Sequence, residues 1–178
     1  GSLARYYVSV SYVDEGGMYK VDEGLKDYNT NANYRRWNYR LNVDMDITKS
    51  TLLKVGVAGS LDKKNEPGMA GNIWASAMRN NPISVPVMYS NGYVPAYGSE
   101  NDQLNPWVAA TQTGYQETWN NKLQANATLE QSLNFITKGL KFIGRYGFDT
   151  NNYQWINRKK FPEMWRAEQN RASDGSLV

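Results

Sequence analysis

Hydrophobic and polar residues alternate along two long stretches of the chain, and this pattern predicts β-strands. From Arg36 to Ile47, the odd-numbered residues are apolar or aromatic and the even-numbered residues are polar or charged. The stretch Lys122–Phe135 alternates in the same way, with Gln131 as the exception. Alternation of this kind places the two classes of side chain on opposite faces of a sheet. Such strands are longer than those of most soluble sheets and match the roughly 9–11 residues that cross a bilayer at a tilt.

Shorter alternating stretches bring the predicted number of strands to about six. They cover Tyr6–Tyr12, Leu53–Val57, Leu140–Asp149 and Tyr153–Lys159. Two tight turns of nearly the same sequence, Ile47–Ser50 and Ile136–Gly139, are predicted to close hairpins, and Asp149–Asn152 is predicted as a third short connection. The fold class predicted from these features is all-β, with antiparallel up-and-down strands.

Two connections are long and irregular, at Asp14–Asn33 and at about residues 62–117. Within the longer one, Gly71–Asn80 is predicted to be a short helix with Asn72 as N-cap. Its apolar side is predicted to be Ile73, Trp74, Ala77 and Met78. A small hairpin is also predicted, pairing residues 84–89 with residues 93–97 around a turn at Ser90–Gly92. A connection of this size is usually functional.

The composition argues against an enzyme and against a nucleic-acid partner. The chain has no Cys and no His, which removes thiol chemistry, the common zinc ligands and the usual proton-transfer side chain. Its net charge is +3, with 20 basic and 17 acidic residues interspersed. Paired carboxylates such as Asp44 and Asp46 suit a glycosidase only at a defined separation, which sequence proximity does not establish. We expect no cofactor, with a loop Ca²⁺ as a weak alternative; its oxygen ligands would be Asp62, Asn65, Glu66 and Asp102.

Aromatic residues make up 13% of the chain, including 13 Tyr and 6 Trp. Their rings suit carbohydrate contact or membrane-interface belts, because each combines an apolar body with a polar edge. The candidate sugar or peptide contacts are aromatic residues of the long connection: Trp74, Tyr89, Tyr93, Tyr97, Trp107 and Tyr115. The alternative is that these rings pack the connection itself or meet a partner protein. Trp37, Tyr39, Trp119, Trp155 and Trp165 are candidates for interface girdles.

Several phrases along the chain resemble the SusC/RagA family of TonB-dependent outer-membrane transporters. The resemblance to the strands that follow the plug domain in that family is carried by Tyr6–Ser9, Glu15–Lys20, Tyr34–Asp44, Thr48–Gly56, Asn105–Pro106, Thr113–Tyr115, Asn126–Gln131, Ile136–Leu140 and Arg145–Asp149. These phrases occur in order over nearly the whole chain. The resemblance is therefore more specific than any one phrase.

The resemblance implies that residues 1–178 are a partial segment, without a plug domain, of an outer-membrane barrel of about 22 strands. It implies import of glycans or peptides across the outer membrane of a Gram-negative cell, a SusD-like lipoprotein partner at the outer face, and energy from a TonB complex reached through parts absent here. The longest connection is then an extracellular, partly helical loop. The lumen-facing polar residues are Arg36, Arg40, Asp44 and Asp46.

A soluble secreted glycan-binding β-sandwich remains the alternative. The side chains of Trp37, Leu41, Val43, Leu123 and Leu129 separate the two hypotheses, because a sandwich buries them and a membrane sheet exposes them. Gly1 is interpreted as the remnant of a cleaved tag, and Asp174–Val178 as a turn opening into a further strand, so that both ends look cut. An isolated sheet of this kind is predicted to pair with other copies through its edges or its apolar face. The imported substrate cannot be named from the sequence.

Overall fold

The structure is a computed structural model that describes residues 3–24, 28–83, 85–96, 104–166 and 172–176. Five strands form one antiparallel up-and-down sheet in chain order. They are β1 (Ala4–Gly16), β2 (Asn33–Thr48), β3 (Thr51–Pro67), β4 (Gly114–Ser132) and β5 (Lys141–Lys159). The helices α1 (Ala70–Arg79) and α2 (Pro106–Thr111) lie between β3 and β4 in sequence. The all-β class predicted from the alternation is thereby confirmed.

The prediction of six strands is wrong, because Lys141–Lys159 forms the single strand β5. The short connection predicted at Asp149–Asn152 lies inside that strand. The error has a physical origin in the apolar pattern, which changes face within the strand. Phe148 and the aromatic residues before it are even-numbered, whereas Tyr153 and Trp155 are odd-numbered. A change of face along one strand looks, in sequence, like the boundary between two.

Short turns join β2 to β3 and β4 to β5, at the positions predicted. The first consists of Lys49 and Ser50. The second begins earlier than predicted, since the N–H of Leu133 donates to the carbonyl of Leu140 at 2.9 Å. Leu133 and Phe135 therefore belong to the turn rather than to β4. Gly139 has a φ of +87°, which glycine adopts without steric cost.

Contacts across the strands confirm that the alternation separates a polar face from an apolar face. On one face, the amide of Asn38 donates to the hydroxyl of Ser11 at 3.0 Å. On the other, the rings of Tyr12 and Trp37 lie 5.3 Å apart. Neighbouring residues of a strand thus point in opposite directions, as pleated geometry requires.

The chain divides into two compact units. The strand unit comprises Gly1–Glu15, Tyr34–Lys64 and Thr118–Gln154. The helical unit comprises Gly16–Asn33, Asn65–Glu117 and Trp155–Val178. The hydrophobic core lies in the helical unit and consists of Met69, Ile73, Leu104, Ala109 and Ala110, with Tyr19 and Met164 packed against it. Among the described residues of the strand unit, only Gly56 and Ser60 are buried.

The apolar face of the strand unit has no second sheet packed on it among the described residues. The five side chains that distinguish a sandwich from a membrane sheet are all half-buried or exposed: Trp37, Leu41, Val43, Leu123 and Leu129. Leu41 and Leu129 are 39% and 38% exposed, and Tyr6 on β1 is 80% exposed. The described residues form one sheet, so the second layer that a β-sandwich needs is not found among them.

Helix α1 forms where it was predicted, but its cap and its buried side differ. The residue that precedes the helix is Met69, which makes no side-chain cap, and Asn72 lies inside the first turn. The buried residues are Ile73 and Ser76, whereas the predicted apolar residue Met78 is 83% exposed. Met69, Ile73 and Ser76 follow the spacing of one helical face, and that face packs on the core.

The predicted hairpin after α1 is reduced to its turn. The N–H of Tyr89 donates to the carbonyl of Tyr93 at 2.8 Å, and Gly92 has a φ of +85°. Within the described residues, no strand flanks this turn, because Pro86 and Pro95 lack the N–H that a β-ladder needs. Pro95 instead makes an isolated parallel bridge with Trp165. Neither helix has the length and apolar character needed to span a membrane, nor does any other helix of the described residues.

Candidate functional site

The described members of the predicted loop aromatics do not contact one another. Within the described residues, the ring contacts of Tyr93 and Tyr115 go to partners outside the predicted set. Tyr93 stacks on Trp165 with centroids 4.7 Å apart and planes inclined by 15°, and Tyr115 lies 5.9 Å from Tyr28. Both contacts are internal to the helical unit. For these two rings, packing of the connection explains the position better than substrate contact does.

The other predicted aromatics are scattered over the helical unit. Trp74 lies on α1 and is 58% exposed. Trp107 lies on α2, where its indole N–H is buried and finds no acceptor among the described residues. Tyr89 is half-buried beside the turn at Gly92, and Tyr97 lies outside the described residues. Trp74 is therefore the most accessible of the described members of the set.

Local hydrogen bonds explain why α2 forms although the sequence pattern did not predict it. The side chain of Asn105 accepts a hydrogen bond from the N–H of Trp107 at 3.0 Å, and Pro106 occupies the first turn. This is a favourable start for a helix, because the cap satisfies an unpaired N–H and proline has none to satisfy. The amide of Asn105 also donates to the carbonyl of Pro86 at 3.2 Å. The side chain of Asn105 thus joins α2 to the segment that follows α1.

The four polar residues predicted to face a lumen share the polar face of β2, as their even numbers require. Arg36 contacts Asp62 on β3 at 3.4 Å and donates to the side chain of Asn38 at 2.8 Å. Asp44 lies 4.0 Å from Arg5 on β1. Arg40 and Asp46 line two separate hollows in this face. The shared face is confirmed, whereas a lumen in front of it stays a prediction.

The larger hollow, called here the polar concavity, has a volume of about 710 Å³ and lies on strands of the strand unit. Its polar and charged lining side chains include Arg36, Asn38, Arg40, Ser60, Lys122, Gln124, Asp149 and Asn151, together with the ring of Tyr7. Only Arg36 and Arg40 of this lining belong to the predicted site residues. The remaining members could have been predicted from the alternating polar residues of the neighbouring strands, since side chains on one face of a sheet are neighbours across its strands.

The charges in the polar concavity are not equally satisfied. Arg36 is held by Asp62, which also accepts a hydrogen bond from the hydroxyl of Tyr34 at 3.1 Å. The ion pairs recorded on the polar face of the described strands use Arg5, Arg36 and Lys54. Arg40 and Lys122 take part in none of these pairs. The concavity therefore presents two cationic groups with hydrogen-bonding capacity to whatever occupies it.

The opposite face carries a continuous apolar band across all five strands. Its members, three for each strand in chain order, are Tyr6, Val8 and Val10; Leu41, Val43 and Met45; Leu53, Val55 and Val57; Leu123, Ala125 and Leu129; and Phe142, Tyr146 and Phe148. Large exposed apolar patches mark contacts with another protein or with a membrane. A band that crosses all five strands is therefore a candidate contact surface.

Aromatic and ionic residues border the apolar band at the end away from the short turns. Tyr12 packs on Trp37. Two residues further from the short turns on the same strands, Arg35 pairs with Asp14 at 3.5 Å. On β3 and β4, the ammonium of Lys63 lies 4.4 Å from the ring centroid of Trp119. Two of the predicted girdle residues, Trp37 and Trp119, thus stand where apolar side chains give way to charged ones. Aromatic and charged side chains thus mark this end of the apolar band.

Two of the predicted Ca²⁺ ligands have other partners in the structure. Asp62 is engaged with Arg36 and Tyr34, and the amide nitrogen of Asn65 donates to the carbonyls of Asn29 and Asn31, each at 2.9 Å. Asp102 lies outside the described residues. Within the residues that the structure describes, no group of three or more acidic, His or Cys side chains is placed to hold a metal ion.

No protein-family model matches the chain, and no curated protein sequence is significantly similar to it. The functional argument therefore rests on the two faces of the sheet.

Proposed function

We propose that this chain is part of the wall of a large outer-membrane β-barrel, in a TonB-dependent transporter of the SusC/RagA type. The observation that carries the proposal is the uncovered apolar band on one side of a five-stranded meander whose other side is polar and charged. Exposure of an apolar face to water is unfavourable in free energy, whereas in a bilayer the same face contacts lipid hydrocarbon. The sequence resemblance supports the same assignment.

The dimensions of the band support a membrane. On β2 the apolar positions run from Trp37 to Ile47, which is roughly 33 Å at 3.3 Å per residue. At strand tilts of 35–45°, this length corresponds to a height of roughly 23–27 Å, close to the apolar band of about 25 Å in outer-membrane barrels. The strands themselves are 13–19 residues long and therefore extend beyond the band.

The connections support a consistent orientation. Two short turns, Lys49–Ser50 and residues 133–140, join the strands at one end of the sheet. The connections that leave the strands at the other end are long and cover residues 17–32 and 68–113. Outer-membrane barrels have short periplasmic turns and long extracellular loops. Because β5 is continuous through residues 149–152, the short outer connection predicted there no longer breaks this asymmetry.

In this proposal each region has a distinct role. The apolar band contacts lipid, the polar face with Arg36, Arg40, Asp44 and Asp46 lines the lumen, and the connection containing α1 and α2 is extracellular. The substrate is a glycan or a peptide, the outer partner is a SusD-like lipoprotein, and TonB couples through parts of the parent protein absent here. None of these roles requires catalysis or a cofactor.

The proposal is tested by the complete reading frame that encodes this sequence and by fractionation of its product. We expect a signal peptide, a plug domain upstream and many further alternating strands, with the product in the outer-membrane fraction. A short secreted frame that ends near Val178, with its product in the soluble fraction, would contradict the proposal. Deletion of the confirmed frame should then abolish growth on the imported nutrient and leave growth on glucose unchanged.

A further inference from the structure

We propose that the polar concavity binds a carboxylate-bearing oligosaccharide and thereby selects acidic over neutral glycans. The inference rests on the proposed function and narrows its substrate class. The proposed site lies on the sheet and is separate from the loop aromatics that were predicted to contact a substrate. The carboxylate partners in the site are Arg40 on β2 and Lys122 on β4, which flank Ser60 on β3.

The charge of the concavity favours an anion. Its lining holds the cationic side chains of Arg36, Arg40 and Lys122 and one carboxylate, Asp149. Arg36 is already engaged with Asp62 at 3.4 Å, and this pair holds its guanidinium in place. Arg40 and Lys122 are in no recorded ion pair of the described residues, so a carboxylate of a ligand meets cationic donors without displacing an internal partner. Hydrogen bonds between charged groups are stronger than those between neutral ones.

The remaining lining suits a sugar better than an acidic peptide. Asn38, Gln124 and Asn151 present planar amides that both donate and accept hydrogen bonds, as sugar hydroxyls require. Tyr7 lines the concavity from β1 and is 55% exposed, so its ring is available to stack on the apolar face of a pyranose.

A second aromatic lies at the other side of the same surface. Tyr153 follows the lining residue Asn151 by two positions on β5 and therefore points to the same face. It is 64% exposed. Tyr7 and Tyr153 thus occupy the two edge strands, with the cationic pair on strands between them. This arrangement places stacking rings on both sides of the carboxylate-binding groups.

The test is calorimetric titration of the full chain in detergent micelles with three ligands of equal length: trigalacturonate, neutral trigalactose and a tri-glutamate peptide. We expect trigalacturonate to bind at least about 10-fold tighter than trigalactose, since a hydrogen bond to a charged group contributes about a factor of ten or more. We also expect it to bind tighter than the peptide, because the peptide lacks a ring to stack. Equal binding of the two sugars would overturn the proposal, and tighter binding of the peptide would assign the carboxylate to a protein ligand instead.

Variants assign the effect to the concavity. Arg40→Gln and Lys122→Gln should each weaken trigalacturonate binding about 10-fold and leave trigalactose binding unchanged. Lys138→Gln, in the turn between β4 and β5, is the matched control and should change neither. If Lys138→Gln weakens binding as much as the other two, the effect is general charge attraction and the site is wrong.

The outcome is separable from that of the proposed function. A chain that inserts into membranes but binds the two sugars equally leaves the transporter standing and removes only the acidic substrate. A chain that selects trigalacturonate but comes from a short secreted frame keeps the site and removes the transporter.

Discussion

The helical unit and the strand unit use their apolar residues in opposite ways. In the helical unit, Ile73 and Leu104 are each 7% exposed, and Val108 and Ala109 are fully buried. In the strand unit, no described residue with an apolar side chain is buried, and Val10 is 73% exposed. The helical unit therefore holds its own core, whereas the strand unit depends on surroundings that cover its apolar band.

The largest effect is expected from opening the core of the helical unit. Ile73→Ala removes a buried side chain beside Met69 and Leu104, and it should cost about 2–5 kcal/mol of local unfolding free energy. Hydrogen exchange of the amides of α1 and α2 measures this loss. The matched control is Met78→Ala on the exposed side of α1, which should change the exchange by less than about 0.5 kcal/mol. Equal effects of the two variants would mean that the core is assigned to the wrong face.

A charge placed in the apolar band tests the other half of the comparison. Leu41→Lys should cost about 2–4 kcal/mol of stability in dilauroylphosphatidylcholine vesicles, because a cation facing lipid hydrocarbon is costly. Asn42→Lys, one residue along on the polar face, is the control and should have little effect. Urea unfolding in the vesicles measures both. If the two lysines are tolerated equally, the band does not contact lipid.

The cap of α2 should contribute less than the core. Asn105→Ala removes the acceptor of the Trp107 N–H and the donor to the carbonyl of Pro86, and it should cost about 1–2 kcal/mol. Asn105→Asp keeps the acceptor and loses the donor, so it should retain part of this stability. Hydrogen exchange of α2 distinguishes the two. An Asp variant as unstable as the Ala variant would show that the cap itself contributes nothing.

The smallest effect is expected for an ion pair on the polar face. Lys54 donates to Glu130 at 2.6 Å, but the two side chains are 42% and 28% exposed, so Lys54→Gln should cost only about 0.5 kcal/mol. The control Lys122→Gln, on the same face and in no recorded ion pair, should cost less. A double-mutant cycle with Glu130→Gln, followed by urea unfolding, isolates the pair energy. A coupling above about 2 kcal/mol would contradict this view of the polar face as water-exposed.

The sheet was predictable from the sequence because side chains alternate between its two faces, and the two faces differ in polarity. From Trp37 to Ile47 every residue is constrained by its face, and β2 was predicted correctly. In β5 the constraint changes beyond Phe148, and Tyr153 and Trp155 follow the other parity. The pattern then resembles two strands. The apolar residues of β5 change from even to odd numbers at the point where the apolar band ends. The wrongly predicted strand boundary therefore coincides with the end of the band.

The helical unit was less predictable because its contacts join residues far apart in sequence. Tyr93 is stacked by Trp165, and Tyr115 is packed near Tyr28. Neither partner can be inferred from the local pattern, in which Tyr93 and Tyr115 resemble ligand contacts. The start of α2 did carry a local signal, since Asn105 followed by Pro106 is a favourable cap and first residue. The polar concavity could be predicted only in part. Its β2 members follow from the alternation, whereas its β1, β4 and β5 members require knowledge of the strand order.

The most direct test of the central claim is the solvent accessibility of alternating residues on β2. The chain has no Cys, so single cysteines at positions 41–45 can carry a nitroxide label without background. In dilauroylphosphatidylcholine vesicles, labels at 41, 43 and 45 should collide with oxygen and be shielded from a water-soluble nickel complex, and labels at 42 and 44 should show the reverse. This period of two is the predicted result. Equal exposure of both sets to the nickel complex would show that the apolar band does not face lipid, and it would contradict the account.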